Sequence, residues 1–185
     1  MRDATARVGP VFSLVMDDLC RRLADDLDGA FPDVVRLLQD DVVSGLRRLH
    51  GPEAEDLAQE ALIRAYRALR GYEPERIRSL RLRGWIWTIA LNLGRNRVRD
   101  ASRRPVPVPL EDRHPVEDPD PVDAGAWDRR MAGLPLAQRQ AVVLRHVVGL
   151  TYAEIAGATG RPEGTVKADV HRGLERLRAT MEAER

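Results

Sequence analysis

The chain has 185 residues, of which 43% are apolar and 32% are charged. Such a chain can bury a core in one domain or in two small ones, which excludes disorder along its whole length. Its net charge is only +1, which taken alone argues against a nucleic-acid-binding protein. The charges are unevenly spread, however, because an acidic stretch at 17–60 precedes a stretch at 61–104 with 12 Arg and three acidic residues. This asymmetry indicates partners that differ along the chain.

Several protein classes are excluded by what the sequence lacks. Cys20 is the only cysteine, so there is no disulfide framework and no thiolate zinc site. No apolar run approaches the ~20 residues of a membrane span, and residues 1–10 contain no apolar signal core with a cleavage site. We therefore expect a cytoplasmic protein without membrane insertion, metal site or cofactor.

Residues 17–104 are predicted to form a helical domain. Apolar residues recur there at three- and four-residue spacings, as on one face of an α-helix, and nothing indicates a strand. Glycine and proline interrupt the pattern after residues 50 and 70. The expected helices are 11–28, a segment that opens at Phe31-Pro32, 53–69 and 82–98. Residues 1–16 are an N-terminal extension whose role the sequence does not indicate.

Residues 105–128 are predicted to be an extended linker. Six of the 12 prolines lie in it, with seven acidic residues against one Arg. Proline-rich sequence favours a polyproline-like chain. Such an anionic peptide would either occupy a basic channel made for nucleic acid or act only as a solubilising spacer.

Residues 129–185 are predicted to form a second, smaller helical domain. Three helical stretches are expected, at 135–148, at 151–159 and from about 162 to 181. The pair Thr151 and Glu154 has the spacing of a capping box, which marks the start of the middle helix. Gly160 then supplies a tight turn. Two short helices joined by a glycine turn after a leading helix have helix-turn-helix spacing.

The last helix of this domain has two distinct faces. At 100° per residue its apolar residues point inward, while a mixed polar set points outward. A recognition helix needs such an outward face to reach base edges and phosphates in the major groove. An ordinary three-helix bundle with a solvated face would show the same periodicity. The outward set is Gly164, Lys167, Ala168, His171, Arg172 and Glu175.

Both domains resemble those of the extracytoplasmic-function (ECF) sigma factors of bacterial RNA polymerase. The second resembles sigma domain 4 through Leu134-Pro135, 138–144, 149–156 and 164–167. The first resembles sigma domain 2 through residues 53–104, above all in the strings 55–60 and 85–92. The resemblance implies an all-α fold, with two small helical domains joined by the acidic linker. It also implies that the chain carries no catalytic residue and needs no cofactor.

The string 55–60 matches the family's polymerase-docking helix. By this resemblance the polymerase-binding residues are Asp56, Gln59, Glu60 and Ile63. Their three- and four-residue spacings place them on one stripe, which suits a partner helix. A structural reading of Glu55 and Asp56 stays open, because carboxylates near a helix start also stabilise the helix dipole.

The segment that reads and opens the −10 element in the family matches residues 85–92, and a cluster of arginines follows it. The resemblance assigns −10 DNA binding to Trp87, Asn92, Arg95, Asn96 and Arg99. A basic groove with amide and aromatic contacts is how single-stranded DNA is held. Core packing is the alternative for both tryptophans, and helical angles place Trp85 nearer the packed stripe than Trp87. Leu82 departs from the family, where an aromatic residue is common.

In the second domain the resemblance assigns −35 recognition to Thr165, Lys167, Ala168, His171 and Arg172. Asp169 departs from the family, where a basic residue is frequent at this position. Its helical angle places it on the flank of the helix. We expect it to weaken the attraction to DNA phosphates there.

The sequence therefore predicts an alternative sigma factor, not an enzyme. Its expected partners are core RNA polymerase and promoter DNA, duplex at −35 and single-stranded at −10, with an anti-sigma protein as a further candidate. The first rival is a self-standing helix-turn-helix regulator, which needs neither the docking stripe nor the acidic linker. The second is a metal-dependent nuclease, which the adjacent acid pairs at 17–18, 25–26 and 40–41 do not support, because adjacent helical residues point about 100° apart.

Overall fold

The computed structural model describes residues 10–103 and 124–184, and every regular element in these ranges is helical. The prediction of an all-α fold is confirmed. Most of the predicted linker, with its acidic residues Glu111 to Asp123, lies outside the described residues. Residues 124–128, predicted as the end of that linker, instead begin a helix that buries Ala126 and Met131.

The first domain contains five helices: α1 (Pro10–Asp25), α2 (Leu27–His50), α3 (Ala54–Leu69), α4 (Pro74–Arg78) and α5 (Leu82–Arg103). A 3-10 turn, Gly51–Glu53, separates α2 from α3. The prediction that Phe31-Pro32 opens the second helix is wrong. Asp26 caps α2 earlier, its side chain accepting from Gly29 N at 3.0 Å, and Pro32 lies inside the helix, where its ring removes one backbone donor.

The core of this domain lies between α2, α3 and α5. Leu38, Leu46, Leu57, Ile86 and Trp87 are among its fully buried side chains. The helix α1 packs on α2 and α4, and it carries Cys20, whose Sγ donates to the carbonyl oxygen of Leu80 at 3.5 Å. This core fixes how α3 and α5 present their outer faces.

The second domain contains α6 (Ala124–Ala132), α7 (Leu136–Val142), α8 (Tyr152–Thr159) and α9 (Glu163–Ala183). A π-helical turn, Val143–Val147, continues α7. The capping box at α8 is present, with Glu154 N donating to Thr151 Oγ1 at 3.2 Å and Thr151 N donating to Glu154 Oε2 at 2.8 Å. Gly160 has φ of 69°, a left-handed conformation that glycine adopts without steric cost.

The two domains pack against each other, with α5 lying on α8 and α2 near the π-helical turn. We call this contact the interdomain seam. Arg83, only 4% exposed, donates to the carbonyl oxygens of Val148 and Gly149, the latter at 3.1 Å. Its guanidinium also lies 3.5 Å from Asp41, a second buried charge. The sequence analysis did not predict this contact.

Small residues allow the helices to approach at the seam. A Cβ added at Gly84 would lie 3.2 Å from the Cβ of Glu154. At Gly45 it would lie 2.5 Å from the Trp87 ring and 2.7 Å from Val148. Both positions therefore leave no room for a larger side chain without a shift of the neighbouring helix.

Candidate nucleic-acid and protein interfaces

The predicted polymerase stripe lies on the outer face of α3. Asp56, Gln59 and Ile63 are exposed, and Ile63 keeps 43% of its surface accessible although it is a large apolar residue. Glu60 is half-buried because it pairs with Arg64 at 2.5 Å and lies 3.8 Å from Arg97 of α5. The structure thus brings the four residues onto one face, and it links Glu60 to the basic helix.

Beside this stripe, a groove of about 1030 Å³ runs between α2 and α3. We call it the α2–α3 groove. Its ends are fixed by polar contacts: Arg47 pairs with Glu55 at 2.9 Å, and the Tyr66 hydroxyl donates to Asp28 Oδ1 at 2.6 Å. Apolar side chains of both helices line it, with a polar rim. These apolar residues are Phe31, Val35, Val43, Leu62, Ile63 and Tyr66.

The α2 side of this groove was missed by the sequence analysis. Phe31, Val35 and Val43 are only partly buried although they are apolar. They follow a second apolar stripe beside the core stripe of α2, and that widened stripe is the signal that the sequence does contain. Only the fold shows that this second stripe of α2 faces α3 across the groove.

The second half of α5 presents a polar and basic face. Asn92, Arg95, Asn96 and Arg99 are exposed, and each lies three or four residues from another member of the set. The side-chain amide oxygen of Asn92, Oδ1, accepts a short hydrogen bond from the guanidinium of Arg95. The structure therefore places these four predicted −10 residues together, with the carboxamide of Asn92 held by its neighbour.

Trp87 does not join this face. It is 1% exposed and packs at the seam against Gly45, so it offers no ring surface to a base in this arrangement. The expectation that Trp85 is the more buried of the two is also wrong, since Trp85 is half-buried, 5.8 Å from the Tyr72 ring. The helical angles were measured from one packed stripe, whereas this part of α5 is packed on two sides.

The outer face of α9 is open. Thr165, Lys167, His171 and Arg172 are exposed and Ala168 is half-buried, while Val166, Val170 and Leu177 point into the core as predicted. Two of the outward residues pair along the helix, Lys167 with Glu163 at 2.9 Å and His171 with Glu175 at 3.1 Å. All five predicted −35 residues thus share one accessible surface.

Asp169 is not a flank residue that faces solvent. It is 4% exposed, and its Oδ1 accepts from Arg172 Nη2 at 2.8 Å. Its Oδ2 forms a close ion pair with Arg161, which precedes α9. The charge that was expected to repel phosphate is therefore compensated by two guanidinium groups. The i, i+3 spacing to Arg172 is visible in the sequence, whereas the contact with Arg161 depends on the turn.

Two further properties of the described ranges bear on function. Within 10–103 and 124–184, no group of three or more His, Cys, Asp or Glu side chains is arranged to hold a metal ion. Across the same residues, no helix has the length and apolar character needed to cross a bilayer.

Comparison with known families gives matches over both domains. Residues 34–104 match the family described as Sigma-70 region 2, and residues 124–177 match Sigma-70, region 4. The chain is 36% identical over 161 residues to the ECF RNA polymerase sigma factor SigE of Mycolicibacterium smegmatis, covering 80% of this chain and 60% of that one. It is 30% identical over 167 residues to SigW of Bacillus subtilis, covering 80% of this chain and 87% of the relative.

Solved structures show the same fold. CnrH, in complex with the cytosolic domain of CnrY, aligns with a TM-score of 0.69 at 21% identity, over 92% of this chain and 99% of that one. RpoE of Bartonella quintana, in complex with the anti-sigma factor NepR, aligns with a TM-score of 0.69 at 24% identity, over 84% and 98%.

Proposed function

The chain belongs to the ECF group of the sigma-70 family of transcription initiation factors, and from this premise we propose that it binds core RNA polymerase and directs it to promoters with −10 and −35 elements. In this role the chain supplies recognition and no catalytic residue. Its place of action is the cytoplasm, with the polymerase. The observation that carries the proposal is the coexistence of one open apolar docking surface and two separate polar reading faces.

The docking surface supports binding of a polymerase helix. The α2–α3 groove is apolar inside and charged at its rim, and the stripe on α3 continues it. An amphipathic helix lays its apolar face into such a groove, and rim charges set its register and encounter rate. Because RpoE of Bartonella quintana is solved with an anti-sigma factor, an anti-sigma protein is proposed as a second partner.

The two reading faces support recognition of a promoter in two places. The exposed Asn92, Arg95, Asn96 and Arg99 of α5 offer amide and guanidinium donors to an unpaired strand. The open face of α9 has the position of a recognition helix in a helix-turn-helix and offers Lys167 and Arg172 to a major groove.

The two domains must separate for both reading faces to contact one promoter at the same time. Elements centred about 25 base pairs apart lie about 85 Å apart, at ~3.4 Å of helix axis per base pair. A compact fold of this length is only about 40 Å across, from a radius of gyration of about 16 Å. The 21 peptide steps from 103 to 124 can reach at most about 70 Å, which is enough for two separated domains to span the promoter.

The test is promoter-specific transcription with core enzyme and the Ile63→Glu variant. A carboxylate placed in the groove is costly to bury, so we expect at least a tenfold loss of core binding and of run-off transcript, with an unchanged melting temperature because Ile63 is 43% exposed. Met181→Glu is the matched control, since Met181 is 45% exposed near the end of α9, outside the groove. No core association together with tight duplex binding would instead identify a self-standing regulator.

A further inference from the structure

The unusual residue of the second domain is Asp169, an acidic side chain on a helix whose outer face is otherwise open and partly basic. It is one of the few charged side chains buried in the described part of the chain. A negative charge on a DNA-reading helix weakens phosphate attraction, and burial of a charge is costly unless it is paired. Its partners therefore decide what it does.

Two guanidinium groups meet at its carboxylate. Arg172 Nη2, one turn further along α9, donates to Oδ1 at 2.8 Å. Arg161, in the turn between α8 and α9, pairs with Oδ2 and also donates to the carbonyl oxygen of Ala137 on α7 at 3.4 Å. Asp169 thus connects the reading helix to the turn before it and, through Arg161, to α7, the helix that leads into the helix-turn-helix unit.

The side chain of Arg172 remains 53% exposed although one of its nitrogens is held. A guanidinium carries five N–H donors in a rigid plane, so a bond at one nitrogen fixes the plane and leaves other donors for DNA. The neighbouring reading residues differ. Lys167 and His171 pair with exposed glutamates, which hold a long side chain weakly, and the Lys167 ammonium also lies 5.5 Å from the centre of the Tyr152 ring. Among these three, Arg172 is the donor oriented by a buried group.

We propose that Asp169 is a positioning residue for −35 recognition. It holds the Arg172 guanidinium in the plane from which it contacts one base pair, and it holds Arg161 at the turn beside the DNA backbone. The proposal rests on the proposed function and makes it more specific. Arginine contacts to guanine are the commonest specific contacts in major grooves, so we assign a G·C pair to this position.

Asp169→Asn separates positioning from simple charge repulsion, because the two predict opposite signs. Asn keeps the shape of the side chain but loses the charge that orders two guanidinium groups. Repulsion predicts tighter binding to every −35 sequence. Positioning predicts about tenfold weaker binding to the preferred sequence and loss of discrimination at a single base pair, the same one that Arg172→Ala affects.

The measurement is binding of holoenzyme, made with the full-length chain, to promoters carrying each single substitution in the −35 element. The double variant Asp169→Asn with Arg172→Ala should lose no more than Arg172→Ala alone, because both act through one contact. Asp169→Asn with Lys167→Ala should lose the product of the two single effects, since Lys167 does not touch Asp169.

The outcomes distinguish this inference from the function on which it rests. Wild-type holoenzyme without promoter preference would overturn the proposed function. Normal promoter preference of the wild-type holoenzyme, with Asp169→Asn binding all sequences more tightly or losing affinity evenly, would overturn only the positioning role. Thermal melting of each variant shows whether an even loss comes from a damaged fold.

Discussion

The two reading helices, α5 and α9, are presented very differently. On α9 the whole predicted reading face is open, and the helix packs chiefly on α7 and α8 of its own domain. On α5 only the second half is open, because Arg83, Gly84 and Trp87 in the first half are buried at the seam. The closed arrangement therefore leaves the proposed −35 reading face accessible and covers part of the helix proposed to read −10.

The difference follows from how many sides of each helix are packed. The first half of α5 lies against α2 on one side and α8 on the other, whereas α9 lies at the edge of its domain. A side chain on α5 that faces away from one neighbour thus meets another. The packing of the two domains against each other therefore covers more of α5 than of α9.

The largest expected effect comes from locking the seam. A Cβ added at position 84 lies 3.2 Å from the Cβ of residue 154. This distance is close to the ~3.8 Å that separates the two Cβ atoms of a disulfide. We expect the variant Gly84→Cys with Glu154→Cys, once oxidised, to lose transcription from a two-element promoter because the domains cannot separate. Reduction with dithiothreitol should restore it, as measured by run-off transcription.

The controls for this lock are the two single cysteine variants. Glu154→Cys removes half of the capping box, which costs about 1 kcal/mol, so its activity sets the reference level. Neither single variant should respond to oxidant. Full transcription by the oxidised double variant would show that the domains need not open.

A smaller effect tests whether Trp87 belongs to the core or to the reading face. Because Trp87 is fully buried and Trp85 is only half-buried, Trp87→Ala should lower the free energy of unfolding by about 3–5 kcal/mol and Trp85→Ala by clearly less. Denaturant unfolding of the two variants measures this. If Trp87→Ala and Trp85→Ala are equally stable and only Trp87→Ala loses −10 opening, Trp87 belongs to the reading face.

The smallest effect is a pH dependence of stability. Burial, together with the charge of Arg139, lowers the pKa of His50 below its ordinary value of 6.5. The unfolded chain then binds the proton more readily, so the stability that neutral His50 contributes is fully present above pH 6.5 and is lost as pH falls below it, through the lower pKa of the folded state. Burial lowers the pKa of His146 as well, so part of the dependence remains when His50 is replaced.

The measurement is the denaturation midpoint from pH 7.5 to 5.5. His50→Gln should flatten the decline. A decline that is unchanged by His50→Gln would mean that the buried imidazole does not control it.

The sequence predicts the local features of this fold well because they depend on residues close in the chain. The helical periods, the capping box at Thr151 and the open face of α9 are of this kind. The seam does not depend on residues close in the chain. Arg83 donates to backbone carbonyls 65 and 66 residues away, and a sequence pattern does not indicate which backbone carbonyl a side chain will contact. The same holds for the α2 wall of the groove and for Arg161 beside Asp169.

The burial of Cys20 has a consequence for redox chemistry. Cys20 is the single thiol of the chain, and it lies on the buried side of α1. Its Sγ donates to the carbonyl oxygen of Leu80, and burial raises the pKa of the thiol. The thiolate is the form that oxidants and electrophiles attack, so a buried, protonated thiol is a poor target. The chain thus presents no accessible sulfhydryl to an oxidant, and an oxidative stimulus that acts through a thiol has to be received by another protein.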